Sequence, residues 1–417
     1  MVFQIKKVYS NPWSKSYLIL VTAFVLWHLL NPKELLDTTE YIQYGAYFFG
    51  EETSFTSVDG YWMGFARRTP LYPFILWLTN KYALVFLQWG ISITLPALIF
   101  RHFALESETP QSTKWFWIVC GVFPLQYFYA GFLMPEMWAE LGVAIWLIAL
   151  KNRRFVTVGL ASAFLILLKP IFIFLTLLNF VISVVHYIKE RRFVTTSVSW
   201  VSPLIAILFL LFWNQSNGYS GISSVGTTNA YDYNRYMLLK AEKGGLYADS
   251  LYRLEARSLA SMSNREMAKG EWMINAFYQS VFDYPMTYIW IQIKGMFRMF
   301  MDPGRYDAMV FFNWPETKGL LHVKSSDKQG SIPLYQWIYI GFFAMLSLLR
   351  LGLLWFGVRV LDIKKAWMWA ALFFIMGYTV LIGPVGTARY LVPLFPIIWV
   401  FSWFGIKKIL NENPTSE

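Results

Sequence analysis

Charge is scarce in this chain. Only 15% of its 417 residues are charged, against roughly a quarter in an ordinary soluble domain. A soluble fold of this length needs more polar residues than that to cover its surface. Cysteine is nearly absent as well: the one thiol, Cys120, cannot form an internal disulfide and cannot build a zinc or iron–sulfur centre alone. The four histidines, His28, His102, His186 and His322, share no metal-ligand spacing. There is no phosphate-cradling P-loop, no dinucleotide fingerprint and no serine nucleophile elbow. Internal repeats, low-complexity tracts and Gly/Ser linkers are missing too. These absences exclude a soluble enzyme, a disordered chain, a disulfide scaffold and nucleotide-driven chemistry of the common kinds.

What the chain has is apolar and aromatic: 56% hydrophobic residues, with 20 Trp, 25 Tyr and 36 Phe. The fold class this implies is an all-α polytopic membrane protein. About ten runs approach the roughly 20 apolar residues of a spanning helix. They lie at about Tyr17–Leu30, Tyr82–Phe100, Lys114–Phe132, Glu136–Leu150, Phe155–Leu168, Ile171–Tyr187, Val194–Trp213, Tyr335–Val358, Trp367–Ile382 and Leu391–Ile406. The first follows Lys6, Lys7 and Lys15 but no small-residue cleavage site comes after it, so it reads as a retained anchor. The formal charge of +11 is a matter of topology here and implies no nucleic-acid partner. Alternate short connections hold Lys6, Lys7, Lys15, Arg101, Lys114, Lys151, Arg153, Arg154, Lys189, Arg191, Arg192, Arg359, Lys364, Lys365, Lys407 and Lys408. The opposite set holds only Lys33, Arg67, Arg68, Lys169 and Arg389. Positive connections stay in the cytoplasm, so both termini are expected there. The organisation expected is a membrane module over 1–213 with an outer loop at 31–70, a larger, mostly helical outer segment over 214–333, and membrane helices over 334–417.

The candidate chemistry lies on the outer face. The first loop is acidic, and Tyr41, Tyr44, Tyr47 and Phe48 recur at helical spacing, the stripe of an amphipathic interfacial helix. Asp37 and Glu40 stand at its start, where Asp-x-x-Glu is also a helix-capping pattern. A cap and a catalytic carboxylate are compatible readings. Arg67 and Arg68 precede an aromatic, Pro-bounded segment, Thr69-Pro70-Leu71-Tyr72-Pro73; guanidiniums suit phosphate through their planar fork of donors, and lipid headgroups are the plainer partner. Lys169-Pro170 and Arg389-Tyr390 put cations where topology does not favour them, either for a local reason or to snorkel. Glu136 and Glu140 share one helix face after Pro135, Glu136 at the positive end of the helix dipole and Glu140 deeper, where a carboxylate wants a polar interior. Arg350 reads as snorkelling to the cytoplasm. Asp37, Glu40 and Glu136 together offer oxygen ligands to a divalent cation.

Four stretches carry a resemblance: Asp37–Tyr41, Arg68–Pro73, Met134-Pro135-Glu136 with Lys169-Pro170, and Ala388–Pro396. In order and placement they resemble the GT-C integral-membrane glycosyltransferases, which use polyprenyl-phosphate-linked sugars and include the protein O-mannosyltransferases and the lipid A aminoarabinose transferases. Several relatives carry adjacent Asp-Glu, whereas here the second carboxylate comes three residues later. The resemblance implies a multi-pass protein of a bacterial inner membrane. It implies transfer with inversion from the lipid-linked donor to a hydroxyl on a glycan, lipid or protein acceptor. Asp37 then matches the general base, and Arg68, Lys169 and Arg389 balance the departing phosphate. Arg67, Glu40, Tyr41, Tyr72, Glu136 and Tyr390 would line the substrate groove, though an aromatic belt also explains Tyr41 and Tyr72. Two other readings remain at this level, a transporter or flippase of a lipid-linked saccharide and a non-enzymatic subunit of an envelope-assembly complex.

The expected orientation is testable. In a Cys120→Ser background, Ser57→Cys should react with a membrane-impermeant thiol reagent added outside intact cells, and Ser416→Cys should not. The reverse pattern would invert the orientation.

Overall fold

The structure, a computed structural model, describes residues 11–30, 34–50, 68–103, 110–122, 124–190, 193–216, 221–261, 266–302, 304–312, 314, 333–359, 365–385 and 387–410. Every regular element among them is a helix. In chain order these are α1 (Pro12–Leu30), α2 (Leu36–Phe49), α3 (Leu71–Leu78), α4 (Lys81–Phe103), α5 (Pro110–Gly121), α6 (Pro124–Gly131), α7 (Glu136–Lys151), α8 (Phe155–Leu168), α9 (Phe174–Glu190) and α10 (Phe193–Ser216). The later part holds α11 (Ser224–Thr228), a π-helix (Asn229–Arg235), α12 (Tyr236–Lys243), α13 (Gly245–Ser261), α14 (Glu266–Asp283), α15 (Pro285–Met301), α16 (Arg305–Phe311), α17 (Leu334–Arg359), α18 (Ala366–Ile382) and α19 (Phe395–Ile409). A 3-10 helix, Ala388–Leu394, runs into α19.

Among the described residues, six helical stretches are long and apolar enough to cross a bilayer: Pro12–Leu30, Lys81–Phe103, Pro170–Ile188, Thr196–Ser216, Leu334–Arg359 and Ala388–Ile409. A seventh is added if Leu125–Gly131 and Glu136–Lys151, bent by 115°, count as one. The architecture fits a multi-pass membrane protein. The expected Lys114–Phe132 span is divided between α5 and α6. Phe155–Leu168 and Ala366–Ile382 are apolar but shorter; at 1.5 Å per residue, 14 residues reach about 21 Å of a core roughly 30 Å thick.

The elbow between α6 and α7 frees carbonyls that lipid cannot satisfy. Gln88 of α4, fully buried, repairs this by donating to the carbonyls of Tyr129 (3.1 Å) and Phe132 (2.6 Å). Asn179 of α9 plays a similar part among three other helices. It donates to Ser162 Oγ of α8 (2.8 Å) and the Ser199 carbonyl of α10 (2.9 Å), and accepts from Trp146 Nε1 of α7 at 3.2 Å. Without a hydrophobic drive between helices in lipid, such bonds and close backbone approaches hold a bundle together. α7 runs from Glu136 to Lys151, where Lys151 lies over Phe103 and Trp367 packs against both Phe103 and Phe404.

Arg350 departs from the snorkelling expectation. It is 2% exposed, and its Nη2 donates to the Phe300 carbonyl of α15 at 2.5 Å. That bond ties α17 to the segment between α10 and α17, which has a small core of its own around Tyr231, Leu259 and Met273. There Arg235 forms a bidentate pair with Glu255, at 2.6 and 2.8 Å.

A close approach of α17 to α19 supplies a stability test. A Cβ on Gly357 of α17 would lie 1.9 Å from the Phe401 carbonyl oxygen of α19, whereas one on Gly341 would meet nothing within 4 Å. Gly357→Ala should destabilise by about 1–3 kcal/mol or more, lowering the thermal midpoint in detergent. Gly341→Ala should leave it unchanged or raise it.

Candidate active site

The site forms where α2, the 68–70 segment, the elbow before α7, the end of α8 and the 388–394 helix meet. The helical spacing of Tyr41 and Tyr44 is realised in α2, but its stripe faces the protein: Tyr41 and Tyr44 are 4% and 1% exposed. The capping expectation is not met. α2 starts from Leu35 in extended conformation with no side-chain cap, and both carboxylates of its first turns turn instead to cations.

Arg68 lies between them. Its Nε and Nη2 donate to Glu40 Oε2 at 2.9 and 2.6 Å, and Nη2 also donates to Asp37 Oδ1 at 3.0 Å. Asp37 Oδ2 accepts from Arg389 Nη1 at 2.7 Å. Each anchoring position is followed by a threonine that fixes it to a helix end. Thr38 Oγ1 donates to the Leu133 carbonyl at 3.2 Å, and Thr69 Oγ1 to the Leu168 carbonyl at 2.9 Å. The Leu168 carbonyl is among those a helix terminus leaves unpaired, and that of Leu133 lies in the elbow between α6 and α7.

Beside this cluster Lys169 Nζ pairs with Glu136 Oε1 at 2.6 Å, so neither Lys169 nor Arg389 snorkels. Glu136 opens α7 after Pro135, which takes the N-cap position instead of the expected first helical one. The ring of Tyr390 lies 5.8 Å from Lys169 Nζ, and its hydroxyl accepts from Arg389 Nη2 at 3.2 Å. Arg68 lies over Tyr41, 4.8 Å from the ring centre, and Tyr41 meets Tyr72 edge-on at 4.9 Å. Tyr72 is fully buried, with its hydroxyl 3.5 Å from Gln88 Oε1, so it does not belong to an interfacial belt. Asp37, Glu40, Tyr41, Arg68, Tyr72, Glu136, Lys169, Arg389 and Tyr390 therefore come together. Arg67 lies outside the described residues. Glu140 is fully buried a turn deeper, toward Gln126.

The electrostatics follow from this geometry. Burial alone would raise the Asp37 carboxyl, but the guanidiniums of Arg68 and Arg389, with Lys169 behind them, outweigh it and hold the group well below the usual carboxylate range. The side chains of Asp37, Arg68 and Arg389 keep 20%, 13% and 29% exposure, so the cluster is open to a ligand. The residues do not fit a divalent cation. Both Asp37 oxygens and one oxygen each of Glu40 and Glu136 already face protein cations, and no group of three His, Cys, Asp or Glu among the described residues is placed to hold a metal.

The segment between α10 and α17 contributes groups that the sequence reading missed. Asp302 accepts the Ala388 amide at 2.9 Å and so fixes the residue next to Arg389. Asp307, 4% exposed, accepts from Tyr129 at 2.8 Å. Its carboxyl is raised to about 7, first by burial and then by Asp302, with the Tyr129 bond and the Arg389 charge opposing. Tyr233 of the π-helix lies close enough to Tyr390, Arg389 and Asp37 to feel their charge. Three side-chain oxygens nearby, Asn234 Oδ1, Gln292 Oε1 and Thr387 Oγ1, are buried without a hydrogen-bond partner; an unpaired buried polar group costs about 1–3 kcal/mol.

No protein family, curated protein or solved structure matches the chain.

The raised Asp307 carboxyl sets a pH dependence. Ionising it is harder in the folded than in the unfolded protein, so it lowers stability as pH climbs from about 4 to about 7, by on the order of 4 kcal/mol in full, with no further change above. Asp37 acts oppositely: its contribution is present above about pH 4 and is lost in stronger acid. Asp307→Asn should flatten the fall in thermal midpoint between pH 4 and 7, measured on the purified protein.

Proposed function

We propose that this chain is a membrane glycosyltransferase of GT-C type, moving a sugar from a polyprenyl-phosphate donor to an acceptor hydroxyl with inversion. The observation that carries the reading is the meeting of residues from all four motif stretches, with Asp37 and Arg389 in contact across 352 positions of sequence. A lipid-linked donor suits a charged site built at the ends of apolar helices: its phosphate stays at headgroup depth while its chain remains among lipids. In this reading α5 with α6, α7, α8 and α18 also cross the bilayer beside the six long helices, giving about ten spans, with the site on the non-cytoplasmic side.

The reaction assigns each group a task. Asp37 takes the proton of the acceptor hydroxyl as that oxygen attacks the anomeric carbon, and the bond to the phosphate oxygen breaks with its electron pair leaving on phosphate. Arg68, Arg389 and Lys169 balance the charge that grows there, a preorganised role worth about 10²–10³-fold per donor. These cations hold Asp37, Glu40 and Glu136, so an arriving phosphate competes with the carboxylates for them. As the guanidiniums turn to phosphate, Asp37 loses the charges that depress its pKa and gains basicity when the acceptor needs it. Donor binding thus switches on the base.

The test is transfer by the full chain in proteoliposomes supplied with polyprenyl-phosphate sugars and hydroxyl acceptors. Asp37→Asn should insert and fold yet lose about 10²–10⁴-fold in rate, the usual worth of general-base help. Transfer at the parental rate would remove Asp37 from the role. Transbilayer movement of the lipid without a new glycosidic bond would replace the transferase reading with that of a flippase.

A further inference from the structure

Beyond the charged cluster lies a group of neutral polar side chains whose buried oxygens have no hydrogen-bond partner. The turn after α18 passes through Gly383, at φ +68°. A Cβ there would lie 3.2 and 3.3 Å from the two amide atoms of Asn234 and 3.3 Å from Gln292 Nε2. The two amides therefore stand against one bare stretch of backbone. Gln292 Nε2 donates to the Tyr288 hydroxyl at 2.6 Å, which fixes how that amide is turned and leaves its oxygen directed elsewhere. The turn ends at Thr387, two residues before Arg389. Asn234 Oδ1, Gln292 Oε1 and Thr387 Oγ1 are all buried and lack partners. They come from three different elements: the π-helix, α15 and the turn.

Two features tie this patch to the cluster around Asp37. Tyr233, the neighbour of Asn234, is itself exposed and senses the charges of Tyr390, Arg389 and Asp37. The π-helical form of 229–235 belongs to a class of distortion found often at functional sites. The patch is uncharged, so it does not suit phosphate. Oxygens that accept, with amide and hydroxyl hydrogens beside them, suit a ligand with several hydroxyls, each able to donate and accept.

We propose that Asn234, Gln292 and Thr387 form a subsite for a neutral polyhydroxylated group, the sugar of the lipid-linked donor, with its phosphate on Arg389. The proposal rests on the transferase reading and adds to it the residues that choose the sugar. The phosphate then lies on the cation side of the turn and the pyranose or furanose ring under the π-helix, with Tyr233 beside it. Selectivity arises because a sugar lacking a hydroxyl at the right position leaves a buried acceptor unpaired, the case in which a polar site discriminates most strongly.

The experiment compares two probes on the full chain in nanodiscs: bare polyprenyl phosphate, and a panel of polyprenyl-phosphate hexoses and pentoses. Wild-type protein should bind one panel member more tightly than the bare phosphate. Asn234→Leu with Gln292→Met, near in shape but apolar, should weaken that member by about tenfold or more, and Thr387→Val by about 2–10-fold, with the bare phosphate unchanged. Arg389→Met should weaken both probes. Thr387→Val is conservative enough to keep the test open should the double variant fail to fold. Equal weakening of both probes, or no change in either, would overturn the subsite, as would wild-type protein that binds bare phosphate as tightly as every sugar-linked form. Wild-type protein that binds neither probe would instead end the transferase reading, and the subsite with it.

Discussion

Carboxylates and guanidiniums lose hydration when helices close over them, and at the end of this bundle neither is tolerable alone. The contact of Asp37 with Arg68 and Arg389 meets that constraint. It joins the first short helix to the last membrane element and sets the register of both. With Glu40 on Arg68 and Glu136 on Lys169, three carboxylates face three cations. The assembly is close to neutral, which lets it lie near lipid, and its charges are locally unequal, which lets it take an anion.

Hydrogen bonds from neighbouring side chains anchor the helix ends and short connections that carry the cluster. The elbow and the end of α8 would leave carbonyls exposed in an apolar setting. Gln88, Thr38 and Thr69 satisfy them, and the two threonines sit directly after the charged residues they hold in place. One set of side chains thus repairs helix ends and aims the site. Asp302 does the same for the backbone beside Arg389.

Much of this was legible in the sequence, for identifiable reasons. Helix α2 showed itself in tyrosines at spacings of three and four. Lys169 and Arg389 stood out because positive charge on their side of the expected topology had no topological cause, and Arg68 because its guanidinium precedes an aromatic, Pro-bounded segment. The capping pattern at Asp37 and Glu40 misled because spacing along one helix cannot reveal a cation 28 or 31 residues away. Tyr72 looked like a belt residue because aromatic composition does not say which face of a helix another helix covers. Asp302, Asp307, Asn234 and Gln292 gave no signal. They lie in a segment of balanced charge, and only the fold brings them to Arg389. The break between α5 and α6 was hidden inside an apolar run whose composition suits a continuous span equally well.

The reach of the Asp37–Arg389 contact bears on how the protein is made. Ribosomes add roughly 5–20 residues per second, so the 352 positions between the two residues correspond to roughly 20–70 s of synthesis. Through that interval the young carboxylate has Arg68 as its neighbour while the second guanidinium does not yet exist. The membrane-inserted nascent chain therefore carries an unfinished ionic centre until its final helix arrives. Quality-control machinery that senses polar groups stranded in lipid would have a built-in marker of completion.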